Sequence, residues 1–110
     1  MVNEEDIKRV HDLLKNGAEK LGNYFNYDEE HTMRLVKGLI ENRERYGYMS
    51  CPCRLASGDY EKDKDIVCPC DYRDSDVEEY GACYCALYVS KEIKDKRLPV
   101  HCIPERRKNP

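Results

Sequence analysis

Seven cysteines in a chain of 110 residues are the first chemistry the sequence offers, and six of them come as three C-x-C pairs. The pairs are Cys51-Pro52-Cys53, Cys68-Pro69-Cys70 and Cys83-Tyr84-Cys85, with fourteen residues between the first two and twelve between the last two. The seventh, Cys102, lies seventeen residues beyond Cys85. A thiolate is a nucleophile and a metal ligand, so six thiols in three tight pairs point to a metal centre, to disulfide exchange, or to both. An odd total does not suit a fully paired disulfide scaffold.

A structural zinc site takes four ligands, usually from wider C-x-x-C knuckles, and would leave two of the six thiols unused. A 4Fe–4S cubane also takes four thiolates, but here the remaining two have a use. A dithiol beside a cluster can close into a disulfide, accept electrons from the cluster and pass them on. Each proline fixes its own φ and biases the preceding cysteine towards extended geometry. In an extended chain side chains at i and i+2 share a side. The spacing therefore predicts that both thiols of a C-P-C pair face one region, one gripping metal and the other free. On spacing alone, cluster-plus-dithiol and zinc both stay open.

The elements that must position these thiols fall into two halves. From Asn3 to about Leu21, Ile7, Val10, Leu13, Leu14, Ala18 and Leu21 recur at helical spacing. Asn3 suits the N-cap, Glu4, Glu5 and Asp6 the first turn, and Gly22 the stop. A second helix is predicted from about Asp28 to Arg45, with Met33, Val36, Leu39 and Ile40 as its buried stripe and Gly47 at its end. Gly17 and Gly38 weaken both helices. Tyr24, Tyr27, Tyr46 and Tyr48 read as packing residues. From Ser50 periodicity is interrupted. Short helical segments are predicted at Ser75–Tyr80, capped by Asp74 or Ser75, and from about Ala86 to Lys94. An irregular tail with Pro99, Pro104 and Pro110 follows. The charge run from Asp59 to Asp65 reads as a solvated loop. The expectation is one domain over residues 1–110, mainly α, multihelical, with a loop-rich cysteine half.

Composition narrows the function. Nineteen Lys and Arg against 22 Asp and Glu give a formal charge of −3, whereas a nucleic-acid binder usually shows a strongly basic face. No stretch approaches the ~20 apolar residues of a membrane span, and the charged N-terminus lacks a signal-peptide core. The chain reads as cytosolic, with no nucleic acid or membrane partner. In that compartment cysteine clusters more often bind metals or do redox chemistry than form structural disulfides.

The segment from Arg45 to Ser90, RYGYMSCPCRLASGDYEKDKDIVCPCDYRDSDVEEYGACYCALYVS, resembles the catalytic (beta) chain of ferredoxin–thioredoxin reductase, in its single-chain microbial branch. The resemblance covers the cysteine half closely and the helical half more loosely. It implies a small multihelical fold of flat shape around a 4Fe–4S cluster held by Cys51, Cys68, Cys70 and Cys83, beside a redox-active disulfide between Cys53 and Cys85. It further implies ferredoxin as electron donor and a thioredoxin or thioredoxin-like protein as acceptor, with Cys53 the solvent-facing nucleophile and Cys85 the residue that resolves the mixed disulfide. A second, non-catalytic subunit belongs to the plant-type branch, and no element for binding one is visible here. Two departures stand out. The interval between the second and third pairs is longer than in the plant-type branch. The third pair is commonly C-H-C, but Tyr84 stands in the middle here. A histidine near ~6.5 exchanges protons at neutral pH, whereas a tyrosine near ~10 mostly stays protonated. Tyr84 is thereby left as a hydrogen-bond donor to a thiolate within the catalytic group.

Outside the pairs, Cys102 reads as a buried or half-buried structural thiol. His101 reads as a surface or packing residue, and His11 and His31, on helices with no cysteine nearby in sequence, carry no assigned chemistry. Arg54 has two readings: a cation that lowers the pKa of Cys53 or attracts an acidic ferredoxin, or a plain surface charge. A zinc-stabilised interaction module and a non-catalytic iron–sulfur carrier are the alternative functions.

Overall fold

The computed structural model describes residues 3–107, which leaves Pro110 outside the described residues. Helix α1 runs Glu4–Lys20, and the Asn3 side chain accepts from the Asp6 N–H at 2.8 Å as its N-cap. Ile7, Val10, Leu14 and Ala18 form its buried stripe. Leu13 and Leu21, expected in that stripe, are 70% and 67% exposed. Leu13 is turned by ~100° from Leu14, far enough at 3.6 residues per turn to leave the core face.

Strand β1 (Tyr24–Phe25) leads into helix α2 (Glu29–Tyr46), capped by Asp28 and closed by Gly47 at φ 88°. Its buried face is Thr32, Leu35, Val36, Leu39 and Ile40, with Met33 half-buried at the edge of the core. Among the tyrosines, Tyr46 stacks on Tyr48 at a centroid distance of 6.1 Å, and Tyr27 donates to the Leu98 carbonyl at 2.8 Å.

The cysteine half departs further from expectation. The charge run is not a solvated loop but helix α3 (Tyr60–Asp63) and a 3-10 turn (Lys64–Ile66). At its centre Asp63 is 1% exposed. Its carboxylate accepts from the Ser57 hydroxyl at 2.9 Å and N–H at 3.0 Å, the Gly58 N–H at 3.2 Å, and the Tyr48 hydroxyl. Local donors thus replace the water that a charge run normally keeps. Helix α4 spans Arg73–Tyr80, two residues earlier than expected, with Tyr72 at the N-cap and no side-chain cap bond. Asp74 instead accepts from Asn23 Nδ2 at 2.9 Å. Gly81 ends α4 at φ 83°, where a Cβ would lie 2.5 Å from Ile93 Cδ1. The expected segment from Ala86 to Lys94 divides into strand β2 (Tyr88–Val89) and helix α5 (Lys91–Lys96). Ala86 at φ 61° breaks the helical path.

Strands β1 and β2 pair antiparallel, Tyr24 opposite Val89 and Phe25 opposite Tyr88. The stripes of α1 and α2 pack with Phe25, Ile66, Val77, Leu87 and Tyr88 into a core that also contains Cys51, Cys83 and Cys85. The fold is mainly α, and its extents of 37 × 35 × 22 Å make it a disc. Among the described residues no helix is long and apolar enough to cross a membrane.

Asp63 holds the loop that leaves the first cysteine pair. Burial raises its pKa, but hydrogen bonds from Tyr48 and Ser57 outweigh this and hold it below the ordinary carboxylate value. The stabilisation it gives is therefore fully present above that ordinary value and is lost as pH falls towards the folded-state value. Asp63→Ala is expected to cost about 2–3 kcal/mol, from several buried donors left without an acceptor. Urea denaturation at neutral pH should show this loss, and the variant's stability should fall less steeply on acidification than that of the native chain.

Candidate redox site

Backbone pairing assembles the sulfurs. Ser50 and Val67 form an antiparallel bridge, in which the Cys51 N–H donates to the Ile66 carbonyl at 2.8 Å and the Cys68 N–H to the Met49 carbonyl at 2.7 Å. The first cysteines of the first two pairs are thereby set side by side. A second bridge, Ala82 with Val89, together with the Cys83 N–H donating to the Tyr88 carbonyl at 3.0 Å, holds the third pair. The outer pairs open tight turns rather than extended segments, with Arg54 N–H to Cys51 O at 3.2 Å and Ala86 N–H to Cys83 O at 2.8 Å. Pro52 takes the second position of its turn, which its fixed φ suits. The Cys68–Pro69 peptide is cis. Pro52 rests on Gly38 of α2, where a Cβ would come within 3.1 Å of the proline ring. A glycine that weakens the helix is thus the seat of the first pair.

Five cysteines, Cys51, Cys68, Cys70, Cys83 and Cys85, line one small cavity closed by Pro52, Arg73 and Tyr88. Cys53 is exposed, in a groove shared with Tyr84, Cys102 and Glu105. Among the described residues no disulfide joins any two of the seven cysteines. The thiols of Cys51, Cys53 and Cys85 lie close enough to shift one another's ionisation, and the charge that this trio can hold settles on Cys53. Bonds from the Cys51 and Cys85 thiols hold Cys53 well below the usual thiol range, while the same contacts push Cys85 well above it. Cys51 is raised as well, chiefly by donating to Cys53. The most solvated of three neighbouring thiols keeps its charge at least cost.

The remaining sulfurs are met by donors. Cys83 Sγ lies 3.8 Å from Cys85 Sγ and accepts from the Tyr88 N–H at 3.3 Å. Cys68 Sγ is 3.8 Å from the Tyr88 hydroxyl, and burial raises its pKa. Burial also raises Cys70, against the pull of Arg54, whose Nη1 lies 3.5 Å from Cys70 Sγ. Among the described residues no three His, Cys, Asp or Glu side chains converge as ligands of a single ion. A four-iron cluster asks for a different arrangement, since each thiolate takes its own iron and the sulfurs surround the group instead of meeting at a point.

Other residues move from their expected places. Of the readings given for Arg54, the field that helps lower the Cys53 pKa holds, whereas a surface charge or a lure for an acidic protein does not, because its side chain is buried and paired with Glu105. Tyr84 lines the Cys53 groove and offers its ring to Arg54 at 4.6 Å. Cys102, expected to be buried or half-buried, is exposed, because Ile103 rather than Cys102 turns inward from the tail. His101 is at the surface, and His11 packs edge-on against Phe25 at 4.9 Å. His31 was missed. Its Nε2 lies 2.9 Å from the Cys85 carbonyl, which can only accept, so Nε2 carries the proton. The two residues are 54 apart in sequence, and nothing local signals the contact.

A thin helical fold with a buried thiol cluster and one exposed, acidic thiol defines a thiol-based redox protein. The family described as "Ferredoxin thioredoxin reductase catalytic beta chain" matches residues 1–108, and the chain belongs to it. Its relatives include the ferredoxin-thioredoxin reductase catalytic chain of Pyropia yezoensis, 26% identical over 80% of this chain and 74% of the relative. The chloroplastic catalytic chain of Arabidopsis thaliana is 27% identical over 81% of this chain and 60% of its own length. That of Spinacia oleracea is 28% identical over 81% and 59%. The chain thus spans about three fifths of these two plant relatives. The family is one of disulfide-reducing enzymes.

The thiol electrostatics can be read by alkylation. In a Cys102→Ser background, reduced protein treated with iodoacetamide should be modified first at Cys53, with buried Cys85 protected. An ordinary thiol near ~8.5 loses about tenfold in rate per pH unit below its pKa. Cys53 should hold nearly its full rate from about pH 8 to about pH 5, by peptide mass spectrometry. A tenfold-per-unit decline at Cys53 would show that the charge does not rest there.

Proposed function

We propose that this chain reduces a disulfide in a thioredoxin-like protein, using Cys53 as nucleophile and Cys85 as resolving thiol, with electrons that arrive singly from ferredoxin. The observation that carries this reading is the contact between one exposed, acidic thiol and one buried, basic thiol. Exchange needs such a pair, one sulfur to attack outward and one to wait.

The Cys53 thiolate attacks a sulfur of the acceptor disulfide. A Cys53–acceptor bond forms and the other acceptor sulfur leaves as thiolate, to take a proton from solvent. The charge on Cys53 is then consumed, and with it the hydrogen bond that kept the proton on Cys85. Cys85 ionises more readily, attacks Cys53 Sγ, and closes the Cys53–Cys85 disulfide as the second acceptor thiolate departs. Two electrons pass from the pair to the acceptor. His31, bonded to the Cys85 carbonyl, fixes the backbone from which Cys85 approaches.

Reopening the pair takes two electrons, and a 4Fe–4S cluster, when bound, supplies a one-electron relay between ferredoxin and the disulfide. Cys51, Cys68, Cys70 and Cys83 would hold it. The fit rests on their chemistry: four thiols line one cavity, N–H groups of Tyr88 and Arg54 are aimed at two of them, and Arg54 and Arg73 bring buried positive charge beside a group that would be anionic. A disc 22 Å thick leaves the centre of the fold close to both faces, so donor and acceptor can approach from opposite sides. The reading includes a cytosolic setting.

Anaerobically purified protein should contain iron and acid-labile sulfide, and show cysteinyl charge-transfer absorbance near ~400 nm. With ferredoxin and an electron source it should reduce thioredoxin-like acceptors. Cys85→Ser should trap a covalent acceptor complex through Cys53, released by dithiothreitol, whereas Cys53→Ser should trap none. Sustained turnover by Cys85→Ser would contradict these roles, and zinc in place of iron would favour the interaction module.

A further inference from the structure

Arg54 carries a full charge into the interior, where its field helps hold Cys53 low, but its hydrogen bonds point elsewhere. Its side chain is 3% exposed. Nε and Nη2 each donate to the Glu105 carboxylate at 2.7 Å. The guanidinium lies 5.2 Å from the Tyr72 ring centroid and 4.6 Å from that of Tyr84. Nη1 is directed at Cys70 Sγ at 3.5 Å. A forked pair with a carboxylate and two ring faces fix the guanidinium plane, so the N–H towards Cys70 cannot swing away without breaking both bonds to Glu105. Glu105 is itself held. The neighbouring Arg106 donates to buried Asp76 at 2.8 Å, Arg107 to Asp65 at 2.9 Å, and Ile103 is buried.

One carboxylate already neutralises Arg54, so its aim at a third partner is more than charge balance requires. We infer that Arg54, gripped by Glu105, is a positioning residue that raises the reduction potential of the sulfur centre through Cys70. The inference rests on the cluster reading given above. Adding an electron adds negative charge near Cys70, and a fixed N–H donor with a buried cation behind it stabilises the reduced form more than the oxidised one. Glu105 opposes this field from the far side of the guanidinium, with weaker effect because of its distance. The pair therefore has a sign. Removing the cation lowers the potential, and neutralising the carboxylate raises it. A salt bridge that only braces the fold would not give opposite shifts.

The test is a redox titration of the anaerobically purified chain, followed by visible absorbance and electron paramagnetic resonance, with iron and sulfide measured on every sample. Arg54→Gln should move the midpoint potential down. Arg54→Lys, which keeps charge but loses the fork, should fall between Arg54→Gln and the native chain. Glu105→Gln should move it up. Equal iron content with unmoved potentials, or shifts of Arg54→Gln and Glu105→Gln in the same direction, would overturn the inference and leave the cluster reading intact. Absence of iron and sulfide from the native chain would remove both. Should Arg54→Gln lose its iron, the opposite signs expected of Arg54→Lys and Glu105→Gln decide the question.

Discussion

Polar backbone that enters the interior with the cysteine loops has to be hydrogen-bonded there, and this requirement arranges the rest of the chain. The loops have little regular structure to satisfy it. Two isolated bridges, at Ser50–Val67 and Ala82–Val89, do the first part. The helical half does the second. Asn26 donates through its side chain to Ala86 O at 2.9 Å and through its backbone to Leu87 O at 2.8 Å, while His31 holds Cys85 O. The N-terminal half contributes no cysteine, yet it supplies the donors and, at Gly38, the space in which Pro52 of the first pair sits.

Charge imposes the second constraint. Three neighbouring thiols cannot all ionise freely, and the two exchange thiols divide by exposure: solvated Cys53 is held low and buried Cys85 is held high. Asymmetry between the two exchange thiols then follows from their neighbouring thiols, the Arg54 charge and their difference in depth, without a dedicated base. The tail completes the arrangement. Glu105, Arg106 and Arg107 are consecutive, yet they reach Arg54, Asp76 and Asp65 in three different segments. One short stretch thereby ties the turn after the first pair, the approach to the second and the helix between the second and third.

Much of this was legible in the sequence, and the physical reason is clear in each case. Helices α1 and α2 declare themselves through caps and apolar period, which are local signals. The three C-x-C pairs declare a shared centre because thiols so grouped are chemically conspicuous. Contacts that join remote residues of ordinary type carried no such mark. His31 and Arg54 look like any surface-capable polar residue until the fold brings a carbonyl or a thiol to them. Asp63 was lost inside a charge run, whose average polarity conceals one member turned inward. Cys102 erred in the other direction, since the burial typical of free cysteine was overridden by the neighbouring Ile103 taking the inward position.

Tyr84 shows how such long-range contacts change the meaning of a substitution. A histidine at the centre of the third pair would offer a titrating ring. Here the position faces the buried guanidinium of Arg54, which also lies 5.2 Å from the Tyr72 ring centroid. A cation in that setting is well met by an electron-rich ring, which tyrosine provides. A protonated imidazole would repel it. Residue 84 thus packs its ring against Arg54, and the contact with the third pair that a histidine makes in this fold comes from another element, through His31 and the carbonyl of Cys85.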